Sequence, residues 1–383
     1  KNTQGSQPAF HSMMPVALRK PLIRLMAGKQ SPLRFASRRF RAGIFKLDRL
    51  GDFVLALGAI RALTRHYGED QCALIVFQEV GELARLEFPQ AAVMELPADG
   101  GGIRNALPLW WNHRRSLSNS AFEDLICLRH RGAVVHHLVL SWVSAGRSIG
   151  MANSTLSQLE ADEKIWRHEL TEELPQPPQA PSGSCLELEA HRLVVERVVE
   201  APVNSETILP RFMSFEPKAG DSILVTPYAS RAIRDYPEAQ MLAVLKEVRR
   251  ATNSPLVLCG GPSERGRLQQ LAQRAWEKNI GGVEVLRACS FLDFCGTVAH
   301  CRGVLTVDTS TAHVATALNK PTVVVMGGGH YGVFGPWQRS AKQVWLTNPL
   351  PCFHCDWHCV HPKPLCITEI PPSQIAAQLL KVI

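Results

Sequence analysis

The sequence predicts an α/β protein made of two doubly wound halves of similar size, with a small Cys-rich segment near the C-terminus. Three observations carry that prediction. Short β-rich runs alternate with longer runs of helical period along most of the 383 residues. A stretch rich in Pro, Gly and polar residues over 201–220 separates one alternation from the next. Four cysteines, Cys352, Cys355, Cys359 and Cys366, are packed into fifteen residues after the last predicted strand. The expected organisation is an N-terminal arm over 1–40, a first domain over 41–205, a second over 206–350, and the Cys cluster with a final helix over 351–383.

The elements follow in order. Residues 15–40 hold a helical apolar face that Pro21 and Pro32 should break into short pieces. Gly43–Leu47 reads as a buried strand running into a helix from Phe53 to His66. Cys72–Phe77, Ala91–Leu96, Phe122–Leu128 and Arg147–Met151 read as further strands with helices between them. Glu172–Ser184 reads as a loop and His191–Glu200 as a helix. After 220, strands are expected at Ile223–Thr226, Pro255–Cys259, Val283–Leu286, Gly303–Val307 and Thr322–Met326. Helices are expected at Glu238–Thr252, Arg265–Lys278, Phe291–Cys301, Ser310–Leu318 and Ser373–Val382. Open α/β sheets bind ligands at the carboxyl ends of their strands, so chemistry is sought just after strands and before helices.

Composition narrows the class. Apolar residues make up 45% and charged residues 20%, which allows a real core and excludes collagen, bulk disorder and a pure coiled coil. No run of 18 apolar residues occurs, and no secretory leader pattern is visible. Ten of the 42 Lys and Arg lie between Lys1 and Lys46, where there is no acid, and the rest of the chain is nearly neutral. Eleven cysteines, seven of them scattered, suggest a reducing compartment and not a disulfide framework.

Five segments stand at strand ends. Gly51 and Asp52 open the first helix; a carboxylate there can take a proton from an acceptor hydroxyl. Thr226-Pro-Tyr-Ala-Ser230, with Arg231 and Arg234, offers small residues and two guanidinium groups to a diphosphate. Gly260 and Gly261 allow close approach of a ligand, and Glu264 can accept hydrogen bonds from ribose hydroxyls. Asp308, Thr309, Ser310 and Thr311 form a helix start rich in hydroxyls and free N–H groups, with His313 near the same face. Gly327 to Pro336 reads as a mobile glycine loop.

Taken in order, these motifs resemble glycosyltransferase family nine, the bacterial heptosyltransferases, from about Gly43 to the C-terminus. The resemblance implies two facing Rossmann-like domains in the GT-B arrangement. It also implies inverting transfer of heptose from ADP-heptose with no metal in the chemistry. Carried over, Asp52 is the catalytic base. Arg234 serves the diphosphate, Glu264 the nucleoside ribose, and Asp308, Thr309, Ser310 and His313 the diphosphate-binding helix start; Ser230, Arg231, Gly260, Gly261 and Thr311, read from the residues themselves, complete the expected donor-binding set. The chain departs from the family pattern at Gly58, where Pro is usual, and at Arg234, where Lys is more frequent.

The C-x2-C-x3-C-x6-C spacing of Cys352, Cys355, Cys359 and Cys366 suits one structural zinc or iron ion, the alternative being free thiols or disulfides. The basic arm suits a contact with an anionic membrane surface. The body carries no aromatic–basic pattern for nucleic acid. The leading expectation is a cytoplasmic, peripherally membrane-bound enzyme acting on a lipopolysaccharide or other glycan. A second reading keeps the fold but takes a protein acceptor, with the Cys site organising an oligomer. A third is an inactive nucleotide-binding member, and a distant fourth a sugar-nucleotide epimerase.

Overall fold

The computed structural model describes residues 16–27, 36–97, 103–129, 134–152 and 170–383. Most of the basic arm, and the Pro32 break expected within it, lie outside these residues. The chain divides into two compact units. The first comprises 1–49, 60–176 and 193–203; the second comprises 50–59, 177–192 and 204–383.

The first unit is a six-stranded parallel sheet. Its strands are β1 (Arg38–Lys46), β2 (Cys72–Phe77), β3 (Ala92–Leu96), β4 (Ser120–Cys127), β5 (Ser144–Met151) and β6 (Glu172–Leu174), in the order 3-2-1-4-5-6. All six side chains of β2 are buried, as expected of a central strand covered on both faces. Helices α1 (Val16–Ala27), α2 (Leu50–Tyr67), α3 (Gln78–Glu87), α4 (Ile103–Ser118), α5 (Val134–Trp142) and α6 (Leu186–Val199) accompany these strands in the chain. Two expectations are corrected here. Pro21 does not break α1, which runs unbroken through twelve residues. The lost N–H is offset by burial of Ile23, Met26 and Ala27, and the Trp142 Nε1 donates to the Met26 carbonyl at 2.7 Å. The start of the predicted 172–184 loop is instead the edge strand β6, paired with Ile149–Met151.

The second unit repeats the design. Its strands are β7 (Ile223–Thr226), β8 (Leu256–Leu258), β9 (Val283–Val285), β10 (Gly303–Val307), β11 (Thr322–Val325) and β12 (Gln343–Leu346). The order 12-11-10-7-8-9 is the same doubly wound sequence, counted from β7. Edge strand β12 was not anticipated: four residues with a half-buried middle carry little period-2 signal. Its helices, after the single turn α7 (Ser205–Ile208), are α8 (Glu238–Ala251), α9 (Arg265–Glu277), α10 (Phe291–Ala299), α11 (Ser310–Ala317), α12 (Leu365–Thr368) and α13 (Pro372–Val382). A reciprocal Ser290–Asp293 capping box starts α10. The C-terminal α13 packs on α8 and β11, burying Ile375, Ala376 and Leu379. Among the described residues, no helix is long and apolar enough to cross a membrane.

Candidate active site

In each doubly wound sheet the strand order reverses between two neighbouring strands, and a crevice opens beyond their carboxyl ends. In the second unit those strands are β7 and β10. Strand β7 ends in Thr226, whose hydroxyl donates to Thr311 Oγ1 at 3.3 Å and so ties the strand end to α11. The following segment turns back on itself: Ala229 N–H donates to Asp235 Oδ1 at 2.7 Å. This brings Arg234 round to the end of β10. Its Nη1 donates to the Asp308 carbonyl at 3.2 Å and lies 3.6 Å from Asp308 Oδ2, and its Nη2 donates to Ser230 Oγ at 2.9 Å. The Arg234 Nε is buried and has no hydrogen-bond partner among the described residues. Arg231 sits exposed at the head of this turn.

Past β10, Thr309 is the N-cap residue of α11, and its side chain makes no capping bond. The first N–H groups of this helix therefore keep their donor capacity for a ligand. Gly51 packs against this same helix start. A side-chain carbon on Gly51 would lie 3.0 Å from His313 Cδ2 and 3.3 Å from Ser310 Cα. A glycine suits so close an approach, and the next residue in the chain is Asp52, in the first turn of α2.

His313 is buried, and its environment is fully specified. Its Nδ1 accepts a hydrogen bond from Trp337 Nε1 at 3.1 Å, and the two rings lie nearly parallel. Trp337 is itself completely buried, and Trp345 Nε1 donates to its carbonyl at 2.7 Å. Burial, with the Asp308 carboxylate opposing it and the Arg234 charge adding to it, pushes the imidazole down to about 4. The ring is neutral wherever the protein is folded near neutrality.

Gly260 and Gly261 lie exposed beyond β8. The Glu264 carboxylate folds back over Gly261, so that a side-chain carbon there would meet Glu264 Oε2 at 2.7 Å. Ser263 Oγ donates to Glu264 Oε1 at 2.5 Å. The residues expected of a donor site thus sit at the ends of β7, β8 and β10.

The glycine loop after β11 differs from expectation. It is clamped, not free: side-chain carbons on Gly327, Gly328 and Gly329 would collide with Trp357 or Phe353 at 2.3 to 2.7 Å. His354 and Asp356 donate their N–H groups to Gly328 and Gly329 carbonyls, and His330 Nε2 lies 2.6 Å from Asp356 Oδ1. The Cys segment is what holds the loop. His354, Asp356 and Trp357 all adopt positive φ, which gives this segment its tight winding. Cys352, Cys355, Cys359 and Cys366 are unbridged and line one small pocket together with His361. Burial, and then the neighbouring Cys359 and Cys355, raise the Cys366 thiol. Among the described residues no three His, Cys, Asp or Glu side chains converge closely enough to hold a metal as they stand.

Two features were not found by reading the sequence. Trp337 lies 24 positions from His313, and nothing in the linear pattern links them. In the first unit, the ends of β1 and β4 carry a charged network. Lys46 is fully buried, donates to the Leu128 carbonyl at 2.8 Å and pairs with Asp48 at 2.9 Å, while Arg129 reaches the same carboxylate at 3.1 Å.

Residues 194–361 match the family model described as glycosyltransferase family 9 (heptosyltransferase). Lipopolysaccharide heptosyltransferase 1 of Pseudomonas aeruginosa is 30% identical over 135 residues, covering 31% of this chain and 36% of that protein. Lipooligosaccharide heptosyltransferase 2 of Campylobacter jejuni is 24% identical over 129 residues, covering 33% of this chain and 40% of that protein. The matched stretch thus spans little more than a third of each curated relative. The structure of E. coli heptosyltransferase WaaC with ADP shares the fold over 90% of this chain and all of that one, with a TM-score of 0.66 at 17% identity.

Proposed function

We propose that this chain, whose residues 194–361 match the glycosyltransferase family 9 model, is a member of that family and an inverting glycosyltransferase. It moves a sugar from a nucleoside-diphosphate sugar, ADP-heptose, to a hydroxyl of a lipopolysaccharide or other glycan. The supporting observation is the close packing of Gly51 on the α11 start, where an added side-chain carbon would lie 3.3 Å from Ser310 Cα, with Asp52 the next residue in the chain. Asp52 takes the proton of the acceptor hydroxyl. The oxygen attacks the anomeric carbon from the face opposite the diphosphate. As the new C–O bond forms, the bond to the diphosphate oxygen breaks and ADP departs with the electron pair. Arg234 and the N–H groups at Thr309–Thr311 stabilise that departing charge. Glu264 orients the donor through its ribose hydroxyls. ADP fits the reading because WaaC, which shares the fold, is a heptosyltransferase seen with ADP. Mass spectrometry of products formed from a panel of nucleotide sugars and glycan acceptors tests it. A chain that binds ADP-heptose but yields no glycosylated product with any acceptor would overturn it.

Two further readings belong with this one. The Cys352, Cys355, Cys359 and Cys366 donor set suits one zinc or iron ion, and all four line a single pocket. Bound there, the ion would secure the segment that clamps the glycine loop and would take no part in the reaction. Elemental analysis should give about one ion per chain, lost in Cys355→Ser. The basic arm is assigned to an anionic membrane surface. Deleting residues 1–40 should reduce binding to anionic vesicles and leave activity on soluble acceptors intact.

A further inference from the structure

We infer that Trp337 is a positioning residue that fixes His313 as its Nε2–H tautomer, making His313 a hydrogen-bond donor to the departing diphosphate and barring it from acting as a base. The inference rests on the proposed transfer for the identity of the anion, but not for the tautomer.

The chemistry of the two rings decides the protonation pattern. An indole N–H can only donate, so the Nδ1 that receives it at 3.1 Å must present a lone pair. A ring with a lone pair on Nδ1 is neither the Nδ1–H tautomer nor the imidazolium. Its single proton is on Nε2. Trp337 has no latitude to release this bond: it is fully buried, its rings stack on the imidazole with an interplanar angle of 6°, and its carbonyl is anchored by Trp345.

The direction of the Nε2–H follows from the same geometry. Nε2 is bonded to Cδ2, on the side of the ring away from the Trp337 contact. Cδ2 is the atom that approaches Gly51. The proton-bearing edge therefore lies on the Gly51 side of the ring, at the α11 start with its uncapped N–H groups. With both ring nitrogens committed, His313 cannot accept the acceptor's proton, and that task falls to Asp52. What His313 can do is donate to a negatively charged oxygen at the α11 start. As the anomeric C–O bond breaks and the diphosphate gains the electron pair, this donor strengthens its hold, and no proton is transferred from it.

The test uses the full chain labelled with 15N-histidine. Long-range 15N–1H correlation spectra of the nucleotide-free protein, assigned by the loss of one ring in His313→Gln, should show His313 protonated at Nε2 and bare at Nδ1. That pattern should not change from pH 8 to pH 5.5. In Trp337→Phe the ring should show mixed tautomers, and turnover should fall about tenfold with the KM for donor little changed. Gln carries an N–H near the Nε2 position and Asn does not. His313→Gln should therefore keep turnover within about tenfold of the parent. His313→Asn should lose about 10² to 10³, the cost of one lost transition-state donor. A parent spectrum with a proton on Nδ1, or equal turnover in the Gln and Asn variants, would overturn the inference. If Trp337→Phe does not fold, the parent spectrum and the Gln–Asn pair still decide. A parent with the Nε2–H pattern but no glycosyl transfer would count against the proposed function and leave the tautomer assignment standing.

Discussion

The two sheets share one strand order, yet their switch points hold opposite kinds of chemistry. At the ends of β1 and β4, Lys46 and Arg129 share the Asp48 carboxylate, and Lys46 is wholly buried. At the ends of β7 and β10, Arg234 is held at its terminal nitrogens, its buried Nε has no partner among the described residues, and the helix start behind it has no side-chain cap. The first point is occupied by its own side chains; the second keeps donor capacity at Arg234 Nε and at the α11 start. Fold alone therefore does not place a ligand. The balance of charge and hydrogen bonds at the crevice does. The matched family region, 194–361, falls mainly in the second unit.

Four outcomes would break or sharpen that contrast. The largest is expected at Asp52. Asp52→Asn should cut turnover by about 10² to 10⁴ with ADP affinity nearly unchanged; near-normal turnover would show that the proton goes elsewhere.

The next probes the first switch point as structure. Lys46→Met leaves Asp48 with Arg129 alone, and should cost about 3 kcal/mol in denaturant unfolding while ADP binding by calorimetry is unaltered. Loss of ADP affinity in a folded Lys46→Met protein would mean that the first point serves the nucleotide too.

The third uses pH. The unfolded chain's His313 takes up a proton below about 6.5, whereas the folded one resists until about 4. The unfolded state thus binds more protons in that window, so stability falls as the pH drops from 6.5 towards 4, by at most roughly 3 kcal/mol. His313→Gln should flatten this part of the pH–stability curve, seen in urea melts at a series of pH values. An unchanged slope would show that His313 is not the buried neutral group responsible.

The smallest effects are on binding. Arg234→Ala and Glu264→Ala should each weaken ADP by about 1.5–3 kcal/mol, the worth of a charged hydrogen bond. Salt should diminish the Arg234 effect more, because it acts on phosphate charge, while Glu264 contacts ribose. Unaltered ADP affinity in both variants would remove the nucleotide from the second switch point.

Much of the candidate site was legible because its parts are local. Gly51-Asp52, Gly260-Gly261 and Asp308–His313 each combine a strand end, a small residue and a helix start within a few positions, and their residue types announce the turn. The strands with continuous apolar runs, such as Cys72–Phe77, were equally plain. The short edges β6 and β12 were not. Three or four residues carry too little period to register, and their pairing with β5 and β11 supplies what their own sequence lacks.

The sequence by itself determined the alternation of elements, the doubly wound class and the residues at each strand end, because these depend on periodicity and turn chemistry over a dozen residues or fewer. The tertiary structure decided what those residues are. It made His313 a neutral donor through a tryptophan 24 positions away. It turned a glycine-rich loop from a free segment into one clamped by Phe353 and Trp357. It made Lys46 a buried structural charge by setting Leu128 and Asp48 around its ammonium group. Protonation state, burial and pairing are set by groups that meet only when each unit folds, and no local pattern encodes which distant side chain will be the neighbour.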